Sequence, residues 1–282
     1  MTPRVSVITP IFNRKDITRQ FLQSFAGVTY PNFEIIVIDD GSTDGSADAI
    51  QREFPSVRVF RTEGNLWWSR ATNVGVRDAI SRGADFILTI NDDVILDPEF
   101  LTHLVDRAVP NPRMLVGAMI YDARPPHNLW YAGGKFSWWT GQIPHRASVD
   151  DGPLYWLTGM GTLIPVGAFA EIGMYDEKHF PQYVGDVDFT LRAAKHGYAL
   201  SIAERSRIYN RTEESIQRLI RQHVTLRNFF VPLFSNKSDS KIGMRLTLYR
   251  RYWPTLLAPI AFCAYYAVFF AKQTTRLLRG LR

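Results

Sequence analysis

One cysteine, Cys263, is all that the 282 residues contain. An internal disulfide and a cysteine-rich zinc site are therefore excluded, and the chain reads as one made for a reducing compartment. No phosphate-cradling glycine loop is present. There is no GxGxxG after the first strand and no GxxxxGK[ST] anywhere, which argues against a Rossmann dehydrogenase and a P-loop nucleotidase. The six histidines show no HxH or HxxxH spacing, so they read as ordinary, although His179 lies near Asp186 in sequence. Internal repeats and low-complexity linkers are missing. No signal peptide is expected either, because the apolar stretch Val5–Ile8 is too short for an h-region.

What is present describes a globular chain. Hydrophobic residues make up 46% and charged residues 21%, with a mean hydropathy of -0.13. That excludes a disordered chain, a collagen and a polytopic membrane protein. The net charge of +6 conceals a split. Residues 1–203 hold 18 Lys/Arg against 23 Asp/Glu, whereas residues 204–282 hold 15 against 4. A mildly acidic body thus carries a basic tail, a composition suited to nucleic acid or anionic lipid.

The first half alternates strand and helix signals. Strands are predicted at 5–9, 33–38, 57–60 and 86–90, and helices at 16–25, 47–54 and 69–82. This βαβ alternation predicts a parallel, doubly wound α/β sheet with ligands outside the carboxyl ends of its strands. Three of those ends are polar: Pro10–Arg14, Asp39-Asp40 and Asn91-Asp92-Asp93. They are expected to converge on one crevice. In the second half Gly133-Gly134, Trp138-Trp139 and Gly141 suggest a short hairpin, and Gly185 opens a helix running to His196. Paired carboxylates at a buried strand end are costly unless neutralised, so Asp92-Asp93 points to a divalent cation, Mg²⁺ or Mn²⁺. Two solvated aspartates in a turn are the alternative. The second acidic strand end, Asp39-Asp40, favours the cation.

These segments, in order, resemble the glycosyltransferases of family 2, which have the GT-A fold. The match runs over roughly residues 4–210. Its motifs are Val5–Arg14, Ile36–Asp44, Gly64-Asn65 with Asn73-Val74-Gly75, Asn91-Asp92-Asp93, Gly159-Met160-Gly161 and Asp186–Phe189 before Leu191-Arg192. The resemblance implies a nucleoside-diphosphate-sugar donor whose base and ribose are held by Pro10, Phe12, Asn13, Arg14 and Asp40, with Asp39 adjacent. Asn65, Arg70 and Gly161 are further binding candidates, and Arg70 could meet phosphate. Asn91-Asp92-Asp93 is similar to the family's DxD motif, with Asp92 facing the ribose and Asp93 on the metal. Asp186 falls where the family places the catalytic base of an inverting displacement. Departures stand out. The motif begins with Asn91, Gly185 replaces the usual Glu, and Asn210 occupies the position nearest the family's metal-binding histidine, which implies weak metal affinity. Asp188 has a second reading, orientation of Arg192 at i+4. Trp67 and Trp68 divide evenly between sugar contact and core.

The resemblance divides the chain into a GT-A domain at 1–212 and a basic helical region at 213–282. The domain has a nucleotide-sugar half at 1–100 and an acceptor half at 101–212. A basic helix is expected over 213–230. Residues 253–271 carry no charge, barely enough to span a bilayer. Pro254, Pro259, Tyr265 and Tyr266 argue instead for a monotopic segment on an anionic membrane surface; a soluble core helix is the alternative. Apolar residues dominate the run, so no nucleic acid is expected. The function expected is transfer of a sugar to a hydroxyl of a glycan, one carried by a lipid, at the cytoplasmic face of a bacterial inner membrane. The resemblance is greatest to rhamnosyl-, galactofuranosyl- and related hexosyltransferases of surface-polysaccharide (O-antigen-type) synthesis. A polyprenyl-phosphate sugar synthase and a catalytically inactive, membrane-docked nucleotide-sugar-binding module are the rivals. The sequence leaves the sugar, the linkage and the oligomeric state open.

Overall fold

A computed structural model describes residues 2–211 and 224–280. Nine strands form one sheet: β1 (Val5–Ile11), β2 (Phe33–Asp39), β3 (Arg58–Arg61), β4 (Phe86–Thr89), β5 (Val94–Leu96), β6 (Met114–Asp122), β7 (Leu129–Tyr131), β8 (Thr162–Pro165) and β9 (Ala199–Asn210). The order is β3-β2-β1-β4-β8-β6-β9-β5, with β7 paired to β6. The first four strands are parallel throughout. β8 enters antiparallel between β4 and β6, and β6 and β9 resume parallel pairing over nine residues of β6. Parallel pairing thus makes up most of the ladder, as the βαβ alternation predicts.

The β-branched strands are covered on both sides, as parallel sheets require. Val5, Val7 and Val37 face Phe21 and Leu22 of α1 (Lys15–Ser24) and Ile50 of α2 (Ser46–Glu53). Ile8, Ile36 and Ile38 face Ala71, Val76 and Ala79 of α3 (Trp67–Ser81). The approach of α3 is set by Gly75: a Cβ there would lie 2.7 Å from Ile8 Cγ2 and 2.8 Å from Ile38 Cδ1. Gly75→Ala is therefore expected to destabilise the fold by about 1–2 kcal/mol, overpacking outweighing the gain in helix propensity. Urea denaturation measures it.

The second half adds α4 (Phe100–Ala108), α5 (Val166–Ile172) and α6 (Gly185–Lys195). The hairpin expected near 133–141 is present only as isolated bridges, Gly134 to His145 and Trp156 and Ser137 to Gln142. Trp156 is buried there, whereas Trp139 is exposed.

Two C-terminal helices complete the described chain, α7 (Ile242–Tyr252) and α8 (Ala258–Gly280). Of the helix expected over 213–230, residues 213–223 lie outside the described residues, and 224–230 form turns instead. Thr225 and Asn228 exchange side chain–backbone hydrogen bonds at 2.7 and 3.3 Å, local bonding that competes with a helix. The charge-free run 253–271 is also broken. Trp253 is extended before Pro254 and the helix restarts at Ala258, as the residue before a proline disfavours helix. Among the described residues no helix is long and apolar enough to cross a membrane. α7 instead joins the main core through Met244, Leu248 and Tyr249, and Trp253 Nε1 donates to Trp138 O at 2.9 Å.

Candidate active site

The carboxyl ends of β1, β2 and β4 meet at one crevice, and short polar side chains clasp their loops together. Asn13 takes a left-handed φ of 50°. Its N–H donates to Ser42 Oγ and its Oδ1 accepts from Thr43 N, both at 2.8 Å. Asp39 Oδ1 accepts from Ser42 N at 2.8 Å. Gly41, at φ +80°, lets the turn approach the 63–64 backbone, where a Cβ would meet Gly64 Cα at 2.8 Å. Asp40 is turned into the next loop: Oδ1 accepts from Leu66 N at 2.9 Å and Oδ2 from Trp67 N at 3.0 Å. Asp40 thus satisfies backbone donors at the start of α3. Pro10 is half-buried at the end of β1, Phe12 is 52% exposed beside it, and Asn65 is exposed at φ 63°.

At the end of β4, Arg14 Nη1 reaches Asp92 Oδ1 at 2.7 Å and Asp93 Oδ2 at 3.3 Å. Thr18 Oγ1 donates to Asp92 Oδ2 at 2.7 Å. Burial raises the Asp92 carboxyl above the usual aspartate value, against the pull of Arg14 and with the help of Asp93. Burial also works against the charge of Arg14, but the two aspartates overcome it and hold the guanidinium protonated. Thr18 is a partner that motif reading missed; its only sequence signal is the helical i+4 spacing from Arg14.

Asp93 Oδ1 is buried and has no hydrogen-bond partner among the described residues. Asn210 lies close, since it pairs with Val94 in the β5–β9 register and Arg211 N donates to Asp93 O at 2.9 Å. Among the described residues no group of three or more His, Cys, Asp or Glu could hold a metal. An orphaned carboxylate oxygen with a neutral amide nearby nevertheless fits Mg²⁺ or Mn²⁺ completed by substrate phosphates and water, the usual economy of such sites.

Asp186 stands in the first turn of α6. Its Oδ2 accepts from Gly159 N at 2.7 Å and its Oδ1 from Val187 N at 2.9 Å. Burial raises its pKa despite these donors. The carboxylate is therefore fixed in orientation yet made more basic, which suits a general base. Gly161, at φ +85°, hydrogen-bonds Thr89 O at 2.8 Å and packs on Ile208. Its position explains a backbone need at the β4 end. Trp68 links the two acidic centres: Nε1 donates to Asn91 Oδ1 at 3.3 Å, and the ring lies against Gly159 and edge-on to Tyr175. Trp68 thereby sides with packing, its indole forming part of the crevice. Arg70 is exposed and 3.7 Å from Glu177.

Asp188 has the structural role. It is fully buried and receives Arg192 Nε at 2.9 Å, Arg251 Nη1 at 2.8 Å and Tyr252 OH at 2.7 Å. His179 hydrogen-bonds Asp176 at 2.8 Å, on which Arg251 also closes.

Comparisons with known proteins bear on the family and the fold. The chain is 28% identical over 224 residues to N-acetylglucosaminyl-diphospho-decaprenol L-rhamnosyltransferase of Mycobacterium tuberculosis, covering 70% of this chain and 73% of that one. It is 25% identical over 233 residues to the O-antigen biosynthesis protein RfbC of Myxococcus xanthus, covering 76% of this chain but 18% of that protein. Its fold is similar to the mannosyltransferase PcManGT from Pyrobaculum calidifontis, solved with GDP-Man and Mn²⁺. The TM-score is 0.62 at 15% identity, over 100% of this chain and 76% of that one. With the glycosyl transferase family 2 model matching residues 6–173, more than half of its length, this chain belongs to glycosyl transferase family 2.

Proposed function

We propose that the protein is an inverting, metal-dependent glycosyltransferase. It moves a sugar from a nucleoside-diphosphate-sugar to a hydroxyl of a lipid-linked glycan in surface-polysaccharide synthesis. The observation that carries this reading is Asp186, held by Gly159 and Val187 N–H groups and joined through Trp68 to the Asn91–Asp93 strand end. The likeness to a rhamnosyltransferase whose name specifies a diphospho-decaprenol acceptor supports the lipid-linked substrate.

In this mechanism the loops at Pro10–Arg14, Asp39-Asp40 and Asn65 shape the nucleotide end, Phe12 offering its exposed ring to the base. Asp92, clamped by Arg14 and Thr18, faces the ribose. Asp93, with Asn210 as a weak neutral donor, would hold Mg²⁺ or Mn²⁺. Such an ion supplies positive charge to the departing diphosphate. The acceptor hydroxyl gives its proton to Asp186 as its oxygen bonds to the anomeric carbon. The bond from that carbon to the nucleoside diphosphate breaks with its electron pair on the leaving oxygen. One base suffices, and no covalent glycosyl-enzyme forms.

Residues 213–282 are proposed as a peripheral membrane-docking region at the cytoplasmic face. In support, Leu256 and Ile260 are exposed among an excess of cations.

A panel of nucleotide-sugars assayed with Mg²⁺, Mn²⁺ or EDTA tests the reading. Turnover of one donor that EDTA abolishes is expected; no turnover of any donor, with lipid-linked acceptor supplied, would overturn it. Asp93→Asn is expected to raise the Mn²⁺ concentration for half-maximal activity by about tenfold or more, as a ligand charge is removed. A metal titration of initial rates measures it.

A further inference from the structure

A cavity of about 610 Å³ lies away from the donor crevice, between the 224–240 segment and helices α7 and α8. Among the described residues four cations line it, Lys237, Arg245, Lys272 and Arg276, against one carboxylate, Asp239. Arg245 is only 3% exposed. Its guanidinium stacks on the Tyr265 ring at 4.2 Å, its Nε donates to Asp239 O at 2.8 Å and its Nη2 lies 3.8 Å from Asp239 Oδ2, but among the described residues its buried Nη1 has no hydrogen-bond acceptor. Gln273, 5% exposed, presents a buried amide oxygen that likewise has no partner among the described residues. Lys272 and Arg276 stand one turn apart on α8, and neither makes an ion pair among the described residues.

A buried guanidinium with an idle N–H edge is expensive unless an anion completes it. Two further cations lining the same cavity, Lys272 and Arg276, call for more than one negative charge. The segment that closes the cavity also bears an apolar lip: Phe230, Val231 and Phe234 are each more than half exposed, and Phe229 stacks on Phe270. Tyr183, which also lines the cavity, lies just before the helix that carries Asp186.

We propose that this cavity binds the diphosphate of the lipid-linked acceptor. Arg245, Lys272 and Arg276 hold the phosphates, and Gln273 accepts from a hydroxyl of the adjoining sugar. The hydrocarbon chain lies on the Phe230–Phe234 lip, and Tyr183 directs the glycan toward Asp186. The proposal rests on the reading of the protein as a transferase that uses a lipid-linked acceptor.

The test is calorimetric titration of the full chain, in EDTA, with farnesyl diphosphate, inorganic pyrophosphate and farnesol. Farnesyl diphosphate is expected to bind most tightly. K272Q/R276Q should weaken it by about tenfold or more, as two charge-assisted contacts are lost. The control R205Q/R207Q, which removes two exposed charges on β9, should leave binding unaltered. Pyrophosphate binding as tightly as farnesyl diphosphate would assign the cavity to free diphosphate and overturn the lipid assignment. Equal weakening by both double variants, or no binding, would overturn the site itself. If the donor panel shows turnover while farnesyl diphosphate fails to bind, only this inference falls. Binding that follows the predicted pattern without donor turnover would sustain the cavity and sink the enzymatic reading.

Discussion

Asp186→Asn is expected to lower sugar transfer by about 10²- to 10⁴-fold, the usual contribution of a positioned general base. The amide keeps an oxygen for one of the two backbone donors, Gly159 N or Val187 N, so the fold should survive. It cannot take the acceptor proton. Burial raises the Asp186 pKa above the ordinary 3.8, which fixes two further results. The acid limb of the wild-type pH–rate profile should titrate above a normal aspartate and vanish in the variant. Stability follows the opposite sense. Between 3.8 and the raised value the folded chain holds a proton that the unfolded chain has lost, so the Asp186 contribution falls as pH rises through that window. At neutral pH the variant escapes this cost but leaves one of the two backbone N–H donors without an acceptor, so its melting temperature is expected to stay near that of the wild type. A rate profile and a thermal melt on the same preparations check both.

The second large effect is on stability. Asp188→Ala removes the acceptor for Arg192, Arg251 and Tyr252 from a fully buried position. Breaking a buried ion pair costs about 3–5 kcal/mol. The lower end is expected, because Arg251 retains Asp176 at 2.7 Å and Arg192 retains the Ile172 and Met174 carbonyls. That corresponds to a fall in Tm of roughly 6–12 °C for a chain of this size. The consequence reaches beyond stability. Asp188 is two residues from Asp186 on α6, and Arg251 and Tyr252 close α7, so the node ties α7 to the helix that carries the proposed base. A melt of Asp188→Ala within about 1 °C of the wild type would contradict this account.

The first half of the chain was legible because its signals are local and agree. Val5–Thr9 and Phe33–Ile38 are continuous β-branched runs that end in polar loops, and both became buried parallel strands of nearly the expected length. Asp92 and Asp93 stand out in the sequence because a second acidic strand end, Asp39-Asp40, accompanies them, whereas Asp186 is singled out through the family resemblance. What Asp40 touches was not legible. Its engagement with Leu66 and Trp67 N–H groups depends on a loop 26 residues away.

β9 was hidden by its own chemistry. Glu204, Arg205 and Arg207 interrupt its apolar pattern where the register against β6 shifts between Ala118 and Met119, and a bulge of this kind defeats simple alternation. The tail is hard to read for a different reason. Apolar residues there serve a packed helix pair as well as they would a bilayer, and one proline, Pro254, splits the run.

The anomeric configuration of the transferred sugar tests the central claim most directly: that one carboxylate, Asp186, serves a single displacement. Proton NMR of the product, formed from the donor that the panel identifies, reads it against the donor. Inversion at the anomeric carbon is predicted. Retention would contradict the account, since it requires either a second reacting group or a covalent intermediate for which Asp186 alone cannot provide.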